Sequence, residues 1–267
     1  MTLDVFRYEG EQRITAALGL SAAFALMGVA FVAAAPLVTA DVATSAQFEQ
    51  LTTQLPQPFV QAFGLESLSS AEGLLAGEFY TLFWSLFFGI YLAYTAAGSI
   101  ADDVETDRMD VLLSAPISRG TVVFEKFLAL LVPIVTASVV TPAVIALAAW
   151  YVDVTVPLAE LAALHALSIP YLLCCGAIGL ALSVFLDDAD TARNAAIGLL
   201  FALYLFQSFV PVTDVGWLAN VAPMAHFDPN DILLDGVYDV AGAALLLAAT
   251  VVLVGVSRHR FIRMDIQ

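Results

Sequence analysis

Positive charge is scarce in this chain. Its 267 residues carry 25 acidic side chains against nine lysines and arginines, and Lys126 is the only lysine. A net charge of −16 leaves no basic patch, which argues against nucleic-acid binding. It also removes the attraction that draws basic segments to anionic lipid. An acidic surface of this kind fits a high-salt habitat, where it stays hydrated and screened. There are only two cysteines, Cys174 and Cys175, adjacent in an apolar run. Neighbours rarely form a structural disulfide, and two ligands are too few for a zinc site, so they read as small packing residues. No GxxxxGK[ST] occurs, and the one lysine follows Glu125 rather than glycine. The chain therefore has no P-loop of its own for ATP.

What the chain has in excess is apolar sequence. Hydrophobic residues make up 61% and charged residues 13%, far from the quarter charged that is usual in a soluble domain. Six apolar segments are long enough to cross a bilayer at about 1.5 Å per residue: 16–36, 79–101, 127–150, 161–186, 194–212 and 240–257. Ala33-Ala34-Ala35 resembles a signal-peptide cleavage site, but the first apolar run is longer than a typical signal core and Pro36 follows directly. Pro133 and Pro142 predict kinks in the third segment, and Trp150 and Tyr151 mark a membrane interface.

The basic residues are Arg7, Arg13, Arg108, Arg119, Lys126, Arg193, Arg258, Arg260 and Arg263. With six crossings, all nine fall on the side that holds both termini, and the positive-inside rule makes that side cytoplasmic. The fold expected is thus all-α: a polytopic plasma-membrane protein with six transmembrane helices and both termini in the cytoplasm. The loops 37–78, 151–160 and 213–239 are then external. In the first of them, Phe59 and Phe63 suggest a short interfacial helix, and Ser69 or Ser70 can cap another turn.

None of the six segments contains Asp, Glu, Lys or Arg. Ion-coupled carriers place such groups inside the membrane, and intramembrane aspartyl proteolysis needs paired carboxylates there. His165 reads as a hydrogen-bonded packing residue, with His226 and His259 in other compartments. Gly176 and Gly179 permit close helix approach, from which a dimer is expected.

The charges concentrate in the cytoplasmic loop 102–126. Between Gly98 and Leu128 lie Asp102, Asp103, Glu105, Asp107, Asp110, Glu125, Arg108, Arg119 and Lys126. A helix over Val104–Leu113 would align Asp103, Asp107 and Asp110 as an acidic stripe, with Met109, Leu112 and Leu113 on another face. Ala115-Pro116 ends that helix, and Ser118 or Thr121 caps the next. The turn Asp187–Arg193 carries acidic capping residues for the fifth segment.

Three stretches here resemble the permease subunits of type-2, exporter-type ATP-binding-cassette transporters. They are Ile100-Ala101-Asp102-Asp103-Val104-Glu105-Thr106, Leu112-Leu113-Ser114-Ala115-Pro116-Ile117-Ser118-Arg119, and Glu125-Lys126-Phe127-Leu128. Asp107-Arg108-Met109 replaces the family's glycine-threonine-leucine step. Asn220-Val221-Ala222-Pro223-Met224-Ala225-His226-Phe227-Asp228-Pro229 is similar to the family's element before the last span. The resemblance implies a partnership with a cytoplasmic ABC ATPase and with a second permease, identical or related, in a membrane of lipid. No cofactor is implied for the chain itself; ATP and magnesium belong to the ATPase. The loop becomes the coupling element, with Asp103, Glu105, Asp107, Met109, Asp110, Leu112, Leu113, Pro116, Arg119 and Lys126 as its candidate residues. Met109, Leu112 and Leu113 would enter a groove of the ATPase, and the acids and Arg119 would rim it. Two further readings are a permease serving copper-enzyme maturation and a non-transporting scaffold. Plain membrane anchoring would also account for Arg119 and Lys126, and a solvated face for the acids.

Overall fold

A computed structural model of the protein describes residues 3–44, 53–56, 60, 71–186, 188–212 and 215–264. Among these, every regular element is helical. The interfacial helix expected around Phe59 and Phe63, the cap at Ser69 or Ser70, and Asp187 lie outside the described residues.

Helix α1 runs Asp4–Thr44, well beyond the expected span at both ends, with Pro36 inside it. Helix α2 opens at Ala71–Leu74, winds as a π-helix over Leu75–Phe87 and continues as α-helix over Phe88–Glu105. In the wide turn the hydroxyls of Thr81 and Ser85 donate to the carbonyls of Ala76 and Tyr80, five residues back. Long π stretches are rare, and single turns of this kind gather at functional sites. This one turns Phe79, Tyr80, Trp84 and Phe88 into the interior, where Phe24 of α1 meets the last two at 5.4 and 5.2 Å between ring centres.

Short helices α3 (Arg108–Ser114) and α4 (Arg119–Leu128) lead into α5 (Leu131–Tyr151). The expected kink is a break at Ala129-Leu130, because Pro133 has no N–H to continue the ladder. Pro142 is accommodated inside α5. Helix α6 (Leu158–Phe185) follows, then α7 (Ala189–Phe209), α8 (Pro229–Asp235) and α9 (Val240–Ile262).

Helix α6 is the hub, packed against α2, α5, α7, α8 and α9. Along one stripe at four-residue intervals, Tyr171 donates to the Ser85 carbonyl at 3.1 Å, Cys175 lies against Gly89, Gly179 meets Ala93, and Ser183 accepts from the Ile100 and Ala101 amides at 3.0 Å. A Cβ on Gly179 would collide with the Ala93 carbonyl, and one on Gly176 would reach Leu130. These glycines, expected to serve a dimer, are used for contacts within the chain. Both cysteines are buried and free, as packing residues are.

The stretch read as an external loop over 213–239 is largely folded. It holds 3-10 turns at Gly216–Val221 and Pro223–His226, then α8. Met224, Phe227, Ile232 and Leu233 are buried, and Phe227 stacks on Tyr171. Pattern reading missed this because the apolar residues are isolated among turn formers.

Among the described residues, five helical segments are long and apolar enough to cross a membrane: Asp4–Leu37, Glu72–Glu105, Arg119–Tyr151, Leu158–Phe185 and Val240–Ile262. The expected fifth crossing, α7, is a helix of 21 residues but is not among them. Arg193, Asn194, Gln207 and Ser208 lower its hydropathy.

Candidate functional site

The charged stretch forms a tip at one end of the bundle. Helix α2 stops at Glu105, where the Thr106 hydroxyl and amide both bond the Asp102 carbonyl. Asp107 then takes a left-handed conformation, φ 57°, which aspartate tolerates better than most side chains. The chain reverses there and α3 begins. Helix α3 ends at Ser114, with Ala115 extended ahead of Pro116. Ser118 caps α4, its Oγ accepting from the Thr121 amide at 3.1 Å.

The tip therefore has the expected break at Pro116 and cap at Ser118, plus an earlier break. The continuous helix over Val104–Leu113 does not form, and neither does its acidic stripe. Asp103 turns inward and is buried, while Asp107 and Asp110 are exposed. The i, i+4 relation holds only on an unbroken helix, and Asp107 interrupts this one. The reversal sends Met109 into the core, fully buried, with Leu112 and Leu113 half-buried against the same cluster. The face expected to enter a partner's groove is thus largely covered by the protein itself. The exposed apolar residue is Val111, at 73%. Glu105, Asp107, Asp110 and Pro116 are exposed around it.

Beneath the tip runs a chain of alternating charges drawn from four helices. Lys126, only 2% exposed, pairs with Asp103 Oδ2 at 2.8 Å and with Glu9 Oε1. Arg108 Nε lies 3.3 Å from the other oxygen of Asp103. Arg13 Nη2 lies 3.2 Å from the other oxygen of Glu9. Both carboxylates are thus bridged on each side, the arrangement that repays the desolvation of buried ions. Next to Lys126, the buried Glu125 accepts from the amides of Val5 and Phe6 at 2.9 and 3.1 Å. It caps the positive end of α1 from a distant helix.

Two further ties close this end. Arg193 bonds Asp102 and sits 5.3 Å from the centre of the Tyr94 ring. Arg119 donates to the Met264 carbonyl beyond α9. Gly98 and Gly120 make room for the guanidinium groups of Arg193 and Arg258, which a Cβ would meet at 2.5 Å. At the start of α7 the exposed Asp188 accepts from the Thr191 amide at 2.6 Å, and hydrogen bonding from Thr191 holds its carboxyl below the usual range.

An all-helical chain with a charged helix–break–helix tip and membrane-crossing helices matches a family model described as "ABC-2 family transporter protein" over residues 13–266. The chain belongs to that family. It is an all-α, multi-pass ABC-2 membrane subunit, and it lacks the ATPase domain. A search of curated proteins gave no match. ABC-2 permeases work with an ATPase subunit and bind no cofactor themselves. Among the described residues no group of three or more His, Cys, Asp or Glu is placed to hold a metal ion.

The residues singled out in the sequence of this ABC-2 permease thus divide into three sets. Asp103, Met109 and Lys126 are internal, Leu112, Leu113 and Arg119 are partly covered, and Glu105, Asp107, Asp110 and Pro116 face outward. Glu9, Arg13, Glu125 and Val111 were not among the candidate coupling residues. Val111 could have been found, since it lies on the opposite side of a short helix from Met109. The partners of Lys126 and Glu125 carry no local signal.

Proposed function

We propose that this chain is the permease half of an ATP-driven exporter, crossing the plasma membrane six times with both termini in the cytoplasm. Helix α7 supplies the remaining crossing. The one-sided distribution of the nine basic residues supports this topology. The tip between Glu105 and Ser118, part of the loop 102–126, then faces the cytoplasm and docks into the ATPase. Val111 is its apolar anchor, and Glu105, Asp107, Asp110, Pro116 and Arg119 surround it.

The observation that carries this reading is the union of an exposed tip with a buried ionic base. Arg108 and Asp103 tie the tip to Lys126 on α4, and Glu9 ties Lys126 to α1. A push on the tip is then delivered to α1, α2 and α4 together rather than absorbed by a loose loop. ATP and magnesium act on the partner; this chain contributes the lever.

A second copy of the permease, or a related chain, covers α7. Its residues Ile197, Phe201, Leu205 and Phe209 form an exposed stripe at four-residue intervals. A crossing that also carries Asn194 and Gln207 is better placed against protein than in lipid. The test is to purify the chain with any P-loop ATPase encoded beside it and weigh the complex. Two permeases and two ATPases, with ATP hydrolysis altered by the membrane subunit, are expected. A single permease copy refutes the pairing, and failure to bind any such ATPase refutes the transporter reading.

A further inference from the structure

Helices α5 and α6 run antiparallel from a short turn and leave a groove of about 460 Å³ between them. Each wall is one helix face. Val135, Ser138 and Ala146 line one side, and Ile169, His165 and Leu158 line the other. Paired end to end in antiparallel register, these stretches set Ser138 opposite Ala166, within one residue of the level of His165. Ser138 precedes the exposed Trp150 by twelve residues. That is about 18 Å of helix, which reaches the middle of a hydrocarbon layer about 30 Å thick.

The walls are apolar except at that level, and there the polar atoms have no partners. His165 is 3% exposed, and its Nε2 makes no hydrogen bond; neither does Ser138 Oγ. Thr141 Oγ1, buried on α5, is also unsatisfied. His165 Nδ1 lies 2.9 Å from the Leu161 carbonyl, which can only accept, so Nδ1 carries the proton. In the neutral ring Nε2 is then a pure acceptor. Tyr80 and Trp84 pack on the imidazole at 5.4 and 4.7 Å between ring centres, yet neither donates to it. An acyl chain in the groove would leave this acceptor unmet, and the hydrocarbon core supplies no water to meet it.

We infer that the α5/α6 groove is a binding site for a membrane-soluble alcohol or phenol, whose hydroxyl donates to His165 Nε2 and accepts from Ser138 Oγ. A hydroxyl carries one donor and two acceptor positions, which suits an acceptor on one wall and a hydroxyl on the other. The volume lies within the range of small-ligand sites, which are mostly apolar with a few placed polar groups. Mid-membrane depth is also where transporters hold their substrates. The inference rests on the membrane location of the chain and not on coupling to an ATPase.

Trp84, against His165, is the reporter. With Trp150→Phe and Trp217→Phe, it is the only tryptophan of the original three. The protein, in lipid nanodiscs without ATPase, is titrated with a bromophenol and with its methyl ether, a bromoanisole. Bromine quenches tryptophan nearby, and the ether has the same shape without the donor. Saturable quenching by the phenol is expected, with the ether binding about tenfold more weakly. His165→Phe should weaken phenol binding about as much, and His165→Gln, which restores an acceptor, should recover most of it. Quenching that rises without saturation, equal midpoints for phenol and ether, or unchanged binding in a folded His165→Phe variant overturns the assignment. The phenol–ether comparison uses the native histidine and stands even if the variants do not fold. Because no ATPase is present, loss of coupling and loss of this site are separate results.

Discussion

Lys126 Nζ lies 2.8 Å from Asp103 Oδ2 in a setting where the lysine is almost wholly buried. The only lysine of the chain is therefore a structural joint between α4 and α2, and through Glu9 a joint to α1.

Removing that joint leaves the buried Asp103 and the part-buried Glu9 without their shared cation. Lys126→Ala is expected to cost about 3–5 kcal/mol, the usual cost of breaking a buried pair. A double change, Asp103→Asn with Lys126→Met, should cost clearly less, since Glu9 keeps Arg13 and the freed Arg108 is solvent-exposed. Thermal unfolding of the detergent-solubilised variants gives the comparison. Equal losses would mean that the lysine acts through its methylenes rather than its charge.

Glu125 bonds the Val5 and Phe6 amides from another helix. Glu125→Ala orphans both, and each buried donor left unmet costs about 1–3 kcal/mol. Amide exchange in the first turn of α1 should quicken in Glu125→Ala and much less in Glu125→Gln, which keeps an acceptor. Unchanged protection in the alanine variant refutes the cap.

Val111 is the exposed apolar residue of α3, and Leu112 is half covered by the protein's own core. If the tip docks, Val111→Arg should reduce ATPase co-purification at least tenfold, or about 1.4 kcal/mol, with little change in unfolding temperature. Asp107→Asn, at the rim, should do less. Leu112→Asp should lower stability as well as binding, so binding is read beside unfolding for each variant. Full binding by Val111→Arg removes the docking face.

Gly179 faces the Ala93 backbone with no room for a methyl group. Gly179→Ala should lower stability by roughly 1–3 kcal/mol through forced separation of α2 and α6. Gly198→Ala, at a position open to its surroundings, should be neutral or slightly stabilising, as expected within a helix. Thermal unfolding of the pair is the test, and equal effects would contradict the packing.

The six-crossing topology places Thr155 outside and Asp110 inside, both exposed on the protein. An impermeant thiol reagent on intact cells should label Thr155→Cys and spare Asp110→Cys, against a background of two buried cysteines. Labelling of Asp110→Cys overturns the orientation. Gly120 is a poor probe here, because Arg258 fills the space a side chain would take.

Much of the architecture was legible because its causes are local. Apolar runs of membrane length become long helices wherever they fall. Pro116 ends α3 and Ser118 starts α4 through bonds no farther than three residues away. Pro133 breaks the entrance to α5 through its own missing N–H.

The pattern misled where one residue changed the geometry of its neighbours. Asp107 adopted a left-handed turn, and the helix face drawn through it ceased to exist. The periodicity of Met109, Leu112 and Leu113 showed an apolar face without showing whether this chain or another would cover it.

The sequence by itself determined that this is a helical membrane chain of the ABC-2 kind, with a charged tip and no nucleotide site of its own. Only the tertiary structure decided what the charges do. Lys126 meets Glu9 across 117 positions, and Glu125 caps α1 across 120. A charge in a sequence has a sign but no partner. Its partner depends on which helices adjoin, and that is set by the packing of α1, α2 and α4 rather than by any spacing along the chain.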